Sequence, residues 1–216
     1  MHDFRSYAIN PETHPKDLLM RILPGIFRRR RPVATWQDLV EEVLDKATMP
    51  TSSLHGETHW RAVISCGLRI SEQTVANRKV VFAFGLIHDS QRLDDGYDFA
   101  HGQRAAASLG GLRTLPDLLS AGEIDLLARA CQDHENGLVS ADPTIGCCWD
   151  ADRINLWRVG VAPDPRFFSI LEEGPLFNEN SKDVRDTYSA PPSWTSLVRK
   201  IETIKKIDQA GTLSGS

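Results

Sequence analysis

The chain has 216 residues, 41% hydrophobic and 25% charged, which is ordinary globular usage and excludes a collagen, a mucin-like stalk or a disordered activator. A net charge of −4 argues against stable nucleic-acid binding, which favours a strongly basic domain. The longest apolar run, Val80–Ile87, is far short of the ~20 residues that span a bilayer, so no membrane span is expected.

The first 31 residues are basic, ending in Arg28–Arg31, and read as a solvated turn between helices. Pro24 and Gly25 interrupt any amphipathic membrane or RNA helix there. Thr35 is placed to cap a helix whose apolar face is Trp36, Leu39, Val40, Val43, Leu44 and Ala47. A second helix is predicted from about Glu57 to Glu72. A third holds the all-apolar run 80–87, the pattern of a central helix surrounded by others. An Asp- and Gly-rich loop covers 90–98, and a fourth helix runs from about Phe99 to Ser108. Ser120-Ala121-Gly122-Glu123 has the capping-box pattern and opens a fifth helix through Ile124, Leu127, Ala130, Cys131 and His134. Asp142-Pro143 opens a sixth, reaching about Trp157. Residues 159–192 are proline-rich and lack periodicity, so they read as an irregular flap. A last helix takes Trp194, Leu197, Val198, Ile201 and Ile204, followed by a flexible end from Gly211.

The expectation is one all-α domain over residues 1–216. It has a helical N-terminal extension (1–53), a core (54–160) and the flap with the C-terminal helix (161–216). Cys66, Cys131, Cys147 and Cys148 form no C-x-x-C pair and sit in apolar stretches. They read as reduced, small hydrophobes of a cytoplasmic protein. No apolar leader with a small-residue cleavage site opens the chain.

Five of the seven histidines fall in the helical middle: His55, His59, His88, His101 and His134. With Asp89 and Asp152 they suit a metal better than a nucleophile, because no G-x-S-x-G elbow and no phosphate-cradling glycine loop is present. Imidazole with carboxylate selects Mn, Fe, Zn, Co or Ni over calcium. His88-Asp89 closes the wholly apolar helix, where two ionisable groups need a partner.

His59 in His59-Trp60-Arg61-Ala62-Val63, the His88-Asp89 pair, and Asp152 in Asp150-Ala151-Asp152-Arg153 form an ordered H…HD…D array. Over residues 54–160 this resembles the HD-domain metal-dependent phosphohydrolase superfamily. The resemblance implies an all-α bundle of that type, with His59, His88, Asp89 and Asp152 as primary ligands and Asp150 as runner-up to Asp152. It implies a second ion held by His101 and His134 with Asp89 bridging, hence one or two divalent ions. The chain departs from the cyclic-dinucleotide branch: it has no G-Y-P element, and Ser90-Gln91-Arg92 follows the pair. Arg92 is a candidate to clamp phosphate oxygens or to pair with Asp94 or Asp95. His55, one turn before His59, is a candidate substrate contact or a helix-entry histidine. Arg61 and Arg153 read as partners of nearby carboxylates, Asp94-Asp95-Gly96 as a turn, and Trp149 and Trp157 as core.

The implied activity is hydrolysis of a small phosphomonoester or phosphodiester, a nucleotide among them, by a metal-activated water. Two alternatives stand beside it: an HD-fold di-iron oxygenase and a non-catalytic metal- or ligand-binding sensor. Residues 160–192 either cover the mouth of the site or run along the back of the domain.

Overall fold

Local capping chemistry decides where the helices begin in the computed structural model, which describes residues 32–171, 175–187 and 189–213. The basic run Arg28–Arg31 lies outside these residues. Helix α1 (Trp36–Lys46) starts from a reciprocal box in which Thr35 Oγ1 accepts from Asp38 N and Asp38 Oδ2 accepts from Thr35 N. Helix α2 spans Glu57–Ile70 and tightens into a 3-10 turn, Ser71–Gln73. Helix α3 (Arg78–Ile87) is capped by the Asn77 side chain, and every residue from Val80 to Ile87 is buried. Helix α4 is His101–Ser108, and α5 is a single turn, Leu115–Leu118, that no periodicity announced. Ser120 and Glu123 form the expected capping box of α6 (Ala121–Asp133). Asp142 caps α7 (Pro143–Arg153), which continues as a 3-10 segment, Ile154–Val159. Gly160 ends that segment with a left-handed φ of 76°.

The described residues from Ala34 onward form one compact unit. The described residues are helix, turn and loop, with no strand. Helix α3 is central, packed against α2, α6 and α7, while α4 packs on α6. Two glycines allow the closest of these approaches. A Cβ on Gly85 would stand 2.6 Å from Ile64 Cγ1, so its absence lets α3 lie against α2. A Cβ on Gly102 would stand 2.6 Å from the Cys131 carbonyl oxygen, so its absence lets α4 lie against α6.

Two expectations are corrected. The segment 159–192 is not irregular throughout: it contains α8, Pro175–Thr187. Its buried stripe is Phe177, Asn180, Ser181 and Val184, and two of those four are polar. Asn180 Oδ1 accepts from Arg69 Nε at 2.7 Å, and Ser181 Oγ accepts from Trp157 Nε1 at 2.8 Å. Hydrogen bonds therefore stand where an apolar pattern would have shown the helix. The flexible end expected from Gly211 is also shortened, because α9 runs from Trp194 to Leu213. No helix among the described residues is long and apolar enough to cross a membrane. All four cysteines are free and buried, and burial pushes their thiols up, Cys66 to about 12, which leaves them inert.

Candidate metal centre

Close packing of α2, α3 and α7 brings three of the expected ligands together. His59 is the third residue of α2, His88 caps the C-terminus of α3, and Asp152 lies in the last turn of α7. His59 Nε2 is 3.1 Å from Asp152 Oδ1 and 3.2 Å from His88 Nε2, and His88 Nε2 is 3.6 Å from the same Asp152 oxygen. Asp89, on the turn that follows α3, supplies Oδ2 at 3.6 Å from His59 Nε2 and 3.7 Å from His88 Nε2.

The packing of α4 on α6 adds the other pair. His101 is the first residue of α4, and His134 caps the C-terminus of α6. Their Nε2 atoms are 2.9 Å apart. They lie 3.3 Å and 3.6 Å from Asp89 Oδ1, the other oxygen of that carboxylate. One side chain thus faces a histidine pair with each of its two oxygens.

Three of the four rings are oriented by the main chain. His88 Nδ1 is 3.2 Å from Phe84 O, His101 Nδ1 is 2.6 Å from Asp98 O, and His134 Nδ1 is 2.7 Å from Cys131 O. A carbonyl can only accept, so each Nδ1 carries the proton and each Nε2 turns a lone pair inward. This is the arrangement of a ligating histidine. Two inward lone pairs 2.9 or 3.2 Å apart repel unless a cation or a proton lies between them. Asp89 Oδ1 is buried and receives no well-directed hydrogen bond, another sign that a cation belongs there. His59, His88 and Asp89 could hold a metal ion, as could Asp89, His101 and His134, and His88, His134 and Asp152; each set's donor atoms lie within 4.8 Å of one another. The mixed imidazole and carboxylate set suits a divalent transition metal.

Electrostatics follow the burial. Desolvation, helped by Arg158, holds His59 down to about 3. Desolvation with His134 nearby holds His101 down to about 4. Burial alone would push Asp152 up, but His59 and His88 beside it outweigh that and hold the carboxyl well below its ordinary value. Asp89 is pulled well down in the same way by His88, His134 and His59. Burial would lower His134 too, but the Asp89 carboxylate 3.6 Å away turns its shift upward.

The remaining expected residues divide. Arg92 is buried beside the site, with Nη1 3.6 Å from Asp89 Oδ1 and 3.2 Å from His101 Nε2. Its other nitrogens hold the loop, Nη2 donating to Gly96 O at 2.8 Å and Nε to Asp94 O at 3.3 Å. The partner is thus the loop backbone and not the carboxylate of Asp94 or Asp95. Asp94 makes the expected turn, its Oδ1 accepting from Gly96 N. His55 stands one turn from His59, ring centroids 6.3 Å apart, with Nδ1 3.0 Å from Asp95 Oδ1. Asp150 points away from the cluster. Its carboxylate accepts from the backbone N–H groups of Ser169, Ile170 and Leu171 at 2.6–2.8 Å, so it anchors the chain after α7. Arg61 and Arg153 donate to backbone carbonyls instead of pairing with carboxylates: Arg61 to Pro191 and Pro192, Arg153 to Phe167 at 2.5 Å and His134 at 3.4 Å. Trp149 is core, its Nε1 donating to Ala130 O, and Trp157 is half-buried against Ser181.

A pocket of about 260 Å³ opens beside the cluster, with His134 and Asp152 in its wall. Glu135, Arg153, Leu156, Asp164, Phe167 and Phe168 complete much of that wall. Asp164, Phe167 and Phe168 thus bring the segment after α7 to the pocket wall, whereas α8 packs on the 3-10 segment and α2. Glu135 was not foreseen. Its Oε2 is 3.0 Å from His101 Nδ1, its Oε1 is buried without a partner, and burial raises its carboxyl. Its only signal in the sequence is adjacency to His134. No family model matches the chain, and comparisons with curated proteins and with solved structures found no match.

Proposed function

We propose that the chain is a metal-dependent phosphohydrolase of the HD-domain superfamily, acting on a small phosphomonoester or phosphodiester. The observation that carries this reading is the placement of Asp89, with Oδ2 toward His59 and His88 and Oδ1 toward His101 and His134. The H…HD…D order of the sequence supports it, because His59, His88, Asp89 and Asp152 meet at one point of an all-helical unit. In this reading His59, His88, Asp89 and Asp152 would hold one divalent ion, and Asp89, His101 and His134 would hold a second. Such ions supply Lewis acidity, lowering the pKa of a coordinated water and countering charge on phosphoryl oxygens.

The chain's own groups do the rest. The carbonyls of Phe84, Asp98 and Cys131 fix the tautomers, so each Nε2 stays an acceptor. Arg92 Nη1 offers a positive donor beside Asp89 for a phosphoryl oxygen. The apolar core behind Phe84 and His88, whose rings stack at 4.9 Å, keeps bulk water from the rear of the cluster.

The test is elemental analysis of protein purified without added metal, followed by a phosphoester panel in the presence of that metal. About one to two equivalents of a transition metal and phosphate release are expected. Iron with dioxygen consumption and no phosphate release would replace the hydrolase by an oxygenase. Metal with neither activity would leave a binding protein.

A further inference from the structure

We infer that the pocket beside the cluster receives the organic group of the substrate, and that it selects a small apolar or aromatic group without a second anion, seated against Phe167. The inference rests on the hydrolase reading for what becomes of the ester, and on the pocket alone for what binds. His134 and Asp152 belong both to the cluster and to the pocket wall, so a phosphoryl group at the cluster directs its substituent into this space. The far wall is Leu156, Phe167 and Phe168.

Phe167 is the informative residue. It is 46% exposed, an aromatic ring at the rim of a polar site with the Arg166 guanidinium 6.0 Å from its centroid. Its backbone is nevertheless held firmly. The 3-10 turn Pro165–Phe167 is capped by Asp164, and Arg153 takes the Phe167 carbonyl. Three residues on, Asp150 grips Ser169, Ile170 and Leu171. Phe168 is pinned against Phe177, ring centroids 5.2 Å apart. An exposed aromatic on a fixed backbone is preorganised to bury a flat or apolar ligand face.

Charge sets the second condition. Glu135, Asp152 and Asp164 put carboxylates around the pocket. The one arginine of the wall, Arg153, already donates to two carbonyls. Asp152 is committed to the cluster and Asp164 is paired with Arg166 at 2.6 Å, so both rim guanidiniums, Arg153 and Arg166, are already engaged and a further phosphate would meet Glu135 instead; nucleoside di- and triphosphates are therefore disfavoured. Size agrees, since about 260 Å³ lies below the ~300–1,000 Å³ of pockets that take drug-sized ligands.

The experiment uses the metal-loaded full chain and two non-hydrolysable probes, phenylphosphonate and methylphosphonate, titrated calorimetrically. Phenylphosphonate is expected to bind at least about ten-fold tighter. Phe167→Ala should remove most of that difference while leaving methylphosphonate affinity, metal content and Tm unchanged. Phe167→Leu should fall between, and it carries the comparison if the alanine variant melts lower. Adenosine triphosphate should compete at least about ten-fold more weakly than phenyl phosphate. Equal binding of the two phosphonates, or equal weakening of both by Phe167→Ala, overturns the inference. The two readings fail separately. No hydrolysis of phenyl phosphate with the binding preference intact sinks the hydrolase and leaves the pocket assignment standing. Hydrolysis with equal kcat/KM for phenyl phosphate and glycerol phosphate sinks the pocket assignment alone.

Discussion

The two sides of Asp89 are built differently. On the Oδ2 side, His59, His88 and Asp152 come from α2, α3 and α7, three helices that pack directly on one another. On the Oδ1 side, His101 opens α4 and His134 closes α6, and the loop 89–100 stands between Asp89 and α4. The first half is positioned by the apolar core, with Trp60, Ile64 and Leu86 fully buried around it. The second is positioned by α6, which also packs on that core, by the short α4, which packs chiefly on α6, and by the guanidinium of Arg92 against His101. Displacing a central helix costs apolar burial across the whole unit, whereas displacing the short α4 costs its packing on α6 and a few hydrogen bonds. The second half is therefore the one that mutation should detach without unfolding the protein.

The largest effect is expected where the halves meet. Asp89→Ala removes the side chain whose two oxygens face the two histidine pairs. Metal content should fall to near zero and activity by more than the ~10–100-fold typical of residues that merely orient a ligand. Elemental analysis and phosphate release measure both. Retention of one full equivalent of metal would mean that Asp89 does not join the halves.

Single-histidine variants then separate the sides. His59→Ala should abolish tight metal binding, since it takes a donor from the core-held half. His101→Ala should leave about one equivalent bound and a well-folded protein. Identical stoichiometry in the two variants would argue against two distinct halves.

Glycine variants sharpen the same contrast through packing. Gly85→Ala forces a methyl group to within 2.6 Å of Ile64, between two core helices, and should cost about 1–3 kcal/mol of stability. Gly102→Ala meets Cys131 O at 2.6 Å and His134 Nδ1 at 3.1 Å. It should push α4 from α6 and part His101 from His134. The expected result is a smaller loss of Tm than in Gly85→Ala, with loss of the second metal equivalent. A calorimetric metal titration beside thermal melts checks both, and a larger Tm loss from Gly102→Ala would reverse the assignment of the core-held side.

Much of this arrangement was legible in the sequence, and the exceptions share a cause. His59, His88, Asp89, His101, His134 and Asp152 stand out because ionisable residues in or beside apolar helices need a partner. The capped starts of α1, α6 and α7 were readable because a capping side chain and its target lie three residues or fewer apart. Groups that bond to the backbone left no such trace. Asp150 resembled a ligand, yet its partners are three N–H groups about twenty residues away. Arg61 and Arg153 looked like ion-pair residues, yet they hold carbonyls. Helix α8 hid for a related reason, since Asn180 and Ser181 in its buried stripe accept from the distant side chains of Arg69 and Trp157. Side chains bonded to distant main chain carry no pattern that residue types alone can show.

The smallest effect is on the metal-free protein as pH falls, and its sign can be worked out. His59 is held down to about 3 and His101 to about 4, while an unfolded histidine titrates near ~6.5. Between those values the unfolded chain binds more protons than the folded one, so stability falls as pH falls through the window. The stability these two groups confer is complete above ~6.5 and is lost progressively toward 3–4. His134 is shifted upward and works the other way, one group against His59, His101 and His55, which burial also lowers. The Tm of chelator-treated protein should therefore drop by several degrees between pH 7 and pH 5. Replacing His59 by Gln should flatten that slope, because Gln cannot take up the proton. Bound metal needs neutral imidazoles, so metal-loaded protein should melt higher at pH 7 and lose that advantage as acid displaces the ions. A Tm that rises from pH 7 to pH 5 in the metal-free protein would show the cluster to be protonated when empty, with His134 outweighing His59 and His101.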